Sequence, residues 1–229
     1  MKTQKLLSTA NAKLKKGEKM GWLTYGLSLA PSNLSGKNLC PHASEGCKAA
    51  CLFTAGHGRF QPTKNARIKK TLSFLSDREN FILKIKKEIQ SAIKKANKES
   101  KKVAFRLNVL SDLPWQNIGN IMQEFPDVTF YDYTPNPSRM IQFLKGELPK
   151  NYHLTFSRKE NNDALCDLIL SMGGNVAMVF DNVPETYKGK KVINGDESDL
   201  RFLDEKNVIV GLKAKGDGKK DTSGFVIKI

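Results

Sequence analysis

Three cysteines fall within twelve residues, Cys40-Pro-His-Ala-Ser-Glu-Gly-Cys47-Lys-Ala-Ala-Cys51, in a chain of 229 residues that has four cysteines in all. Thiolates this close in sequence can converge on one soft metal centre, and Cys47 and Cys51, four apart, share a face if a helix begins there. The count of three matters. A [4Fe-4S] cluster held by Cys40, Cys47 and Cys51 leaves one iron without a protein ligand, and that open position can take a small-molecule substrate or an exogenous ligand. Zinc is the first alternative, with His42 completing a Cys3His set, but zinc ligands commonly pair two to four residues apart and the first gap here is six. A disulfide would strand an odd thiol, and buried structural thiols fit poorly in a segment holding Pro41, Ser44, Glu45 and Gly46. Cys166 differs. It sits among Ala164, Leu165, Leu168 and Ile169 and reads as core.

An open iron is a Lewis acid, so the expected reaction is hydrolysis of a small carboxyl ester or amide without electron transfer. Hydrolysis needs a base and a stabiliser for developing negative charge. His42 and His57 flank the cysteines, Asp112 is a carboxylate at a strand end, and Arg106 and Lys213 supply positive charge. Asn108, Tyr133 and Ser157 complete the candidate catalytic set, as polar residues on strand faces or strand ends. Two rival readings use the same cysteines: radical chemistry with S-adenosylmethionine, and a nucleic-acid or host-protein binding module clipped together by its cluster.

These residues need elements to carry them. Gly21–Leu29 alternates with period two, and the cysteine loop follows it directly. Residues 63–76 and 78–98 read as helices, the second with Phe81, Ile82, Ile85, Ile89, Ile93 and Ala96 at three- and four-residue spacing and a lysine-rich opposite face. Strand and helix then alternate: Val103–Leu110, a helix after Pro114, Val128–Thr134, a helix from Pro137, Tyr152–Arg158, Asn162–Met172, Val176–Phe180. Strands at Lys191–Ile193, Val208–Ala214 and Gly224–Ile229 close the list. Such alternation is the signature of parallel βα units. The expected fold is α/β, a (β/α) TIM-like barrel, closed or partly open, with the cysteine cluster in the loop after the first strand; a doubly wound sheet is the alternative.

Polar residues on one side of the strands favour the barrel. Arg106 and Asn108, then Thr129, Tyr131 and Tyr133, then His153, Thr155 and Ser157 alternate with apolar neighbours, and Ile209 and Gly211 lead on to Lys213 and Lys215. Ordinary barrels fill their centre with branched apolar side chains, so this pattern suggests a hydrated, ligand-binding lumen.

Residues 1–19 read as a basic arm and 20–229 as a single domain. The formal charge of +15 raises nucleic acid as a partner, although lysine outnumbers arginine and much of it lies on the helix near 78–102. No run of eighteen apolar residues and no signal peptide is visible, so no membrane association and a cytoplasmic location are expected. Nothing in the sequence sets the oligomeric state.

The cysteine segment through Leu52 and Phe53, together with Arg106-Leu-Asn-Val-Leu-Ser-Asp112, Tyr131-Asp-Tyr-Thr134, Asn194-Gly-Asp-Glu-Ser-Asp-Leu-Arg201 and Asp221-Thr-Ser-Gly-Phe225, resembles the bacteriophage "gene product 88" domain family. That resemblance implies a phage-encoded protein acting in the cytoplasm of a bacterial host. A cysteine triplet after the first strand of a βα barrel is also remotely similar to radical S-adenosylmethionine enzymes, which would imply that cofactor. Their triplet is normally C-x3-C-x2-C, whereas C-x6-C-x3-C stands here, and no Gly-Gly-acid run follows the second strand.

Overall fold

The computed structural model describes residues 5–9 and 15–229, so residues 1–4 and 10–14 of the basic arm expected at 1–19 lie outside the described residues. Ten strands join in one large, mostly parallel sheet. In chain order they are β1 (Leu7–Ser8), β2 (Trp22–Leu27), β3 (Lys102–Arg106), β4 (Thr129–Thr134), β5 (Tyr152–Ser157), β6 (Val176–Phe180), β7 (Thr186–Tyr187), β8 (Lys190–Asn194), β9 (Ile209–Lys213) and β10 (Val226–Ile227). The helices are α1 (Glu45–Ala49), α2 (Gln61–Ser76), α3 (Arg78–Lys98), α4 (Ile121–Glu124), α5 (Pro137–Leu144) and α6 (Asp163–Ser171).

Strands β2 to β6 lie side by side in sequence order, all parallel. The order then breaks. The β7–β8 pair is antiparallel, and β9 returns between β6 and β8, parallel to both. The sheet is therefore an open path running from β1 to β7, with β1 antiparallel on β2 at one edge. A closed TIM barrel is not what forms. Strand–helix alternation up to β6 is common to open and closed sheets, and only the chain beyond it, which folds back instead of reaching the first strand, decides between them. Nor does the cysteine loop follow the first strand: it follows β2, because the short β1 precedes it. β6 is the hub. Its first residues pair with β5 through Phe156↔Val176, and its last pair with β10 through Val226↔Val179 and Ile227↔Phe180.

Register lines up the core. Tyr25, Phe105, Phe130 and Tyr152 stand opposite one another on β2 to β5, and a second row on the same face, starting four residues further along β5, runs through Phe156, Val176, Ile209 and Val192 on β5, β6, β9 and β8. Helices cover this face. α3 is capped by the Asp77 carboxylate, which accepts from the Asn80 N–H, and it buries Phe81, Ile85, Ile89, Ala92 and Ala96, one stripe of a helix whose other side is wet. Met140 of α5 and Cys166 and Ile169 of α6 join the same cluster, so Cys166 is a core residue as expected. The helix expected after Pro114 is a 3-10 turn at Trp115–Asn117 followed by the short α4.

The opposite face carries Thr24, Arg106, Tyr131, Tyr133, His153 and Thr155, and it is not a hydrated lumen. The segment 195–205 lies over it: Phe202 packs its ring on Trp22, Tyr131 and His153 at 4.7, 5.5 and 5.8 Å, and Asp199 takes hydrogen bonds from Arg106 Nη1 at 3.1 Å and the Tyr131 hydroxyl at 3.2 Å. Two details of the polar pattern differ from expectation. Asn108 lies beyond the end of β3 and turns to Asp132, away from Arg106, and Ile209 belongs to the helix-covered core. Among the described residues no helix is long and apolar enough to cross a membrane.

Phe105 stacks between Tyr25 and Phe130 at 5.6 and 5.7 Å and is fully buried, whereas Leu83 on α3 is 48% exposed. In urea unfolding, Phe105→Ala is expected to lower stability by about 3–5 kcal/mol and Leu83→Ala by less than about 0.5 kcal/mol. Equal losses would contradict the assignment of the core to this face.

Candidate functional site

In parallel sheets, functional residues gather beyond the carboxyl ends of the strands. Here those ends are tied by two buried carboxylates. Asp132, in β4, accepts from the Asn108 backbone N–H at 2.7 Å, from Asn108 Nδ2 at 3.2 Å and from the Tyr152 hydroxyl at 3.0 Å. Asp112 accepts from Arg139 Nη1 at 2.7 Å and from the Thr134 hydroxyl at 3.0 Å, while its Oδ2 is buried without a partner among the described residues. Asn108 also holds its own turn together: its Oδ1 accepts from the Ser111 hydroxyl and the Leu113 N–H, both at 2.9 Å.

The cysteine loop docks on this layer. The Asp112 N–H donates to the Leu39 carbonyl, and Lys159 Nζ donates to the His42 carbonyl at 3.0 Å. α1 begins at Ser44, whose hydroxyl caps the Cys47 N–H and donates to Glu160 Oε2 at 2.5 Å, while Glu160 Oε1 accepts from the Gly46 N–H at 2.9 Å. Gly46 has to be glycine: an added Cβ would meet Ser223 Oγ at 2.3 Å and both Glu160 Oε2 and Phe225 Cβ at 2.8 Å. Nothing in the sequence marked Glu160, which acts across 114 residues, or Arg139 as a part of this layer.

The three cysteines are free, half-buried thiols. Cys40 Sγ accepts from the Ser32 N–H and donates to the Leu110 carbonyl, both at 3.3 Å. Burial pushes the Cys40 thiol up to about 11 and, with help from Cys51 and Cys40, the Cys47 thiol up to about 12; burial raises Cys51 as well. Cys51 thus bears on Cys40, and both bear on Cys47. Among the described residues, however, no three His, Cys, Asp or Glu side chains form a group able to hold a metal ion. This corrects the expected metal site at Cys40, Cys47 and Cys51: the [4Fe-4S] cofactor, its open iron as a partner for substrate, the iron-dependent hydrolase and the S-adenosylmethionine alternative all rested on that convergence. Zinc with His42 falls with them.

Of the other candidate residues, Asn108, Asp112 and His42 meet at the carboxyl ends of the strands, and the rest are dispersed. His42 is half-buried in the cysteine loop and acts electrostatically on Asp112, whose carboxyl burial raises, against Arg139 and Thr134 as well. His57 is exposed and meets Phe60 edge-on at 5.5 Å. Arg106 lies on the other face of the sheet over the Tyr133 ring, 4.5 Å from its centroid, and the Tyr133 hydroxyl is buried without a hydrogen-bond partner among the described residues. The Ser157 carbonyl accepts from Asn162 Nδ2 at 3.2 Å at the end of β5. Lys213 is exposed, and its N–H donates to Asp196 Oδ2 at 2.9 Å.

Around the cysteines the surface is cationic and aromatic. Leu52 is 51% and Phe60 49% exposed. Lys64 Nζ stands 5.7 Å from the Phe53 ring centroid, and the Arg59 guanidinium 5.9 Å from that of Phe60. Sequence reasoning noted His57 here but missed Phe60 and Arg59, although the run Gly56-His-Gly-Arg-Phe60 could have flagged a turn presenting an aromatic beside a cation.

Burial pushes the Asp132 carboxyl up to about 7, against the Asn108 N–H, Arg106 and the Tyr152 hydroxyl. Between about pH 4 and pH 7 the native state therefore keeps a proton that the unfolded chain has released, and the stability contributed by this group falls as pH rises through that window. Thermal melts across it are expected to show Asp132→Asn losing less Tm toward neutral pH than the parent; parallel curves would overturn the assignment.

The model of the family described as Gene product 88 matches residues 4–229. No curated protein and no solved structure matches the chain. No relation to radical S-adenosylmethionine barrels is borne out, since the sheet is an open path and the cysteines do not form a metal-holding group. The segments that carried the resemblance, from the cysteine loop to Asp221–Phe225, all lie within the matched span, and the chain belongs to the phage gene product 88 family.

Proposed function

We propose that the protein binds nucleic acid through its cationic surface. The observation that carries this reading is an uncompensated row of lysines. The chain has 38 Lys and Arg against 23 Asp and Glu, a net charge of +15. Lys87, Lys94 and Lys98 are exposed on the solvent side of α3, and none of them meets an acidic side chain among the described residues; their neighbours Lys86 and Lys95 pair with Glu124 and Glu99. At about 1.5 Å rise per residue, the row spans about 16 Å of one helix side. A one-sided array of unpaired ammonium groups repels itself, and a phosphate backbone relieves that repulsion while releasing counterions.

The predominance of lysine fits contact with phosphates more than with base edges, where the arginine fork is the usual reader. Recognition of this kind is steered by charge and weakened by salt. The test is fluorescence anisotropy of a labelled oligonucleotide titrated across salt concentration. Binding is expected at low salt, with log K falling linearly against log salt, and Lys87→Glu/Lys94→Glu/Lys98→Glu is expected to bind at least tenfold more weakly with a shallower slope. Absence of binding at low salt, or a triple variant that binds like the parent, would overturn the reading.

A further inference from the structure

The turn that carries Phe60 adds a feature that charge alone does not require. Between Glu45 and Asp77 the sequence holds no Asp or Glu but six Lys and Arg residues, Arg59, Lys64 and Arg67 among them. Inside this acid-free stretch, the loop from Cys51 to Phe60 puts Leu52 and Phe60 about half in solvent and sets a cation near each of two rings, Lys64 by Phe53 and Arg59 by Phe60. Isolated apolar side chains on a surface are ordinary. An exposed ring with a guanidinium beside it and a second cation in the same loop, in a segment with no carboxylate, is a more specific arrangement: it offers an aromatic surface to a flat, apolar group and positive charge to an anion attached to that group.

The backbone under Phe60 is fixed. Arg67 Nη1 donates to the Gly58 carbonyl at 3.2 Å, and an added Cβ on Gly58 would meet the carbonyls of Phe53 and Leu52 at 3.0 and 3.1 Å. Gly216, at φ +54°, packs so closely on this loop that a Cβ there would lie 2.8 Å from Thr54 Oγ1, and the same hydroxyl accepts from the Asp217 N–H at 3.2 Å. Phe60 is the residue from which α2 starts, so its Cα is also held by a sixteen-residue helix. His57 packs against the ring in a T-shaped contact at an interplanar angle of 71°. With the backbone fixed in this way, only side-chain rotation of Phe60 is left to lose on contact.

Resting on the nucleic-acid reading above, we propose that Phe60 is a stacking platform for an unpaired base, with Arg59 at its own ring and Lys64 at the ring of Phe53 in the same loop for the flanking phosphates, so that the preferred ligand is a single strand. A duplex keeps its base faces stacked on one another and cannot offer one to Phe60, while every unpaired base has a π-face. Preference for single strands then follows from the aromatic, and overall salt dependence from the lysines.

The experiment compares one fluorescent oligodeoxynucleotide, single-stranded and as its duplex, at the same salt, with the parent protein, Phe60→Ala and Phe60→Trp, each checked for unchanged circular dichroism; polyglutamate serves as a polyanion without bases. The parent is expected to bind the single strand at least fivefold more tightly than the duplex or polyglutamate. Phe60→Ala is expected to lose at least fivefold on the single strand and little on the duplex, and Phe60→Trp to retain affinity, with its new indole fluorescence quenched by the bound strand. Equal single-strand binding by the parent and Phe60→Ala, or equal parent affinity for strand, duplex and polyglutamate, would overturn the stacking proposal while salt-dependent duplex binding left the wider reading standing. Absence of binding to any oligonucleotide would overturn both.

Discussion

A parallel sheet has to be covered on both faces, because each strand's neighbours are reached only by chain that crosses over the sheet. In this protein the two faces are covered in different ways. On one, helices bury aromatic and aliphatic rows that run through Tyr25, Phe105, Phe130 and Tyr152. On the other, the strands present an arginine, two tyrosines and a histidine, and burial there is tolerable only because Asp199 pairs with Arg106 and Tyr131 while Phe202 packs its ring among them. A buried guanidinium without its carboxylate is costly, on the order of 3–5 kcal/mol. The acidic turn Asn194–Asp199 is thus structural: Asp199 closes the sheet face and Asp196 holds Lys215 and the Lys213 N–H.

The carboxyl ends of the strands are tied by a second polar layer, and the cysteine loop is built on it. Asp132 and Asp112 fix the turn after β3, the Asp112 N–H, Lys159 and Glu160 hold the cysteine loop at Leu39, His42 and Gly46, and Arg67 and the Thr54–Asp217 hydrogen bond hold the turn that leads to Phe60. The exposed aromatic is therefore presented from a fixed base, which a mobile surface loop would not provide.

Most of the elements were legible because period and punctuation agreed. The α3 span 78–98 follows from its apolar stripe and its Asp77 cap, and β6 from a short apolar run. The polar side of β4 was also readable, since Tyr131 and Tyr133 alternate with Phe130 and Asp132. What covered that side was not: Asp199 and Phe202 come from a segment with no periodicity, 93 residues beyond Arg106 in the case of Asp199. Barrel closure was illegible for a related reason, because the decisive β7–β8 pair and the insertion of β9 are choices of strand order that local sequence does not encode. The cysteine spacing was overread. Sequence proximity put the thiols in one loop, but the Cys40 thiol is taken up by the Ser32 N–H and the Leu110 carbonyl, and among the described residues the three do not form a metal-holding group.

The Asp199 pairing closes the polar face, and the rest of the sheet relies on this closure. Amide hydrogen exchange, followed peptide by peptide in the parent and in Asp199→Ala, tests it most directly. Faster exchange is expected across 195–205, spreading to β3 and β4 beneath it while α6 keeps its protection; unchanged protection over 195–205 and both strands would contradict the account.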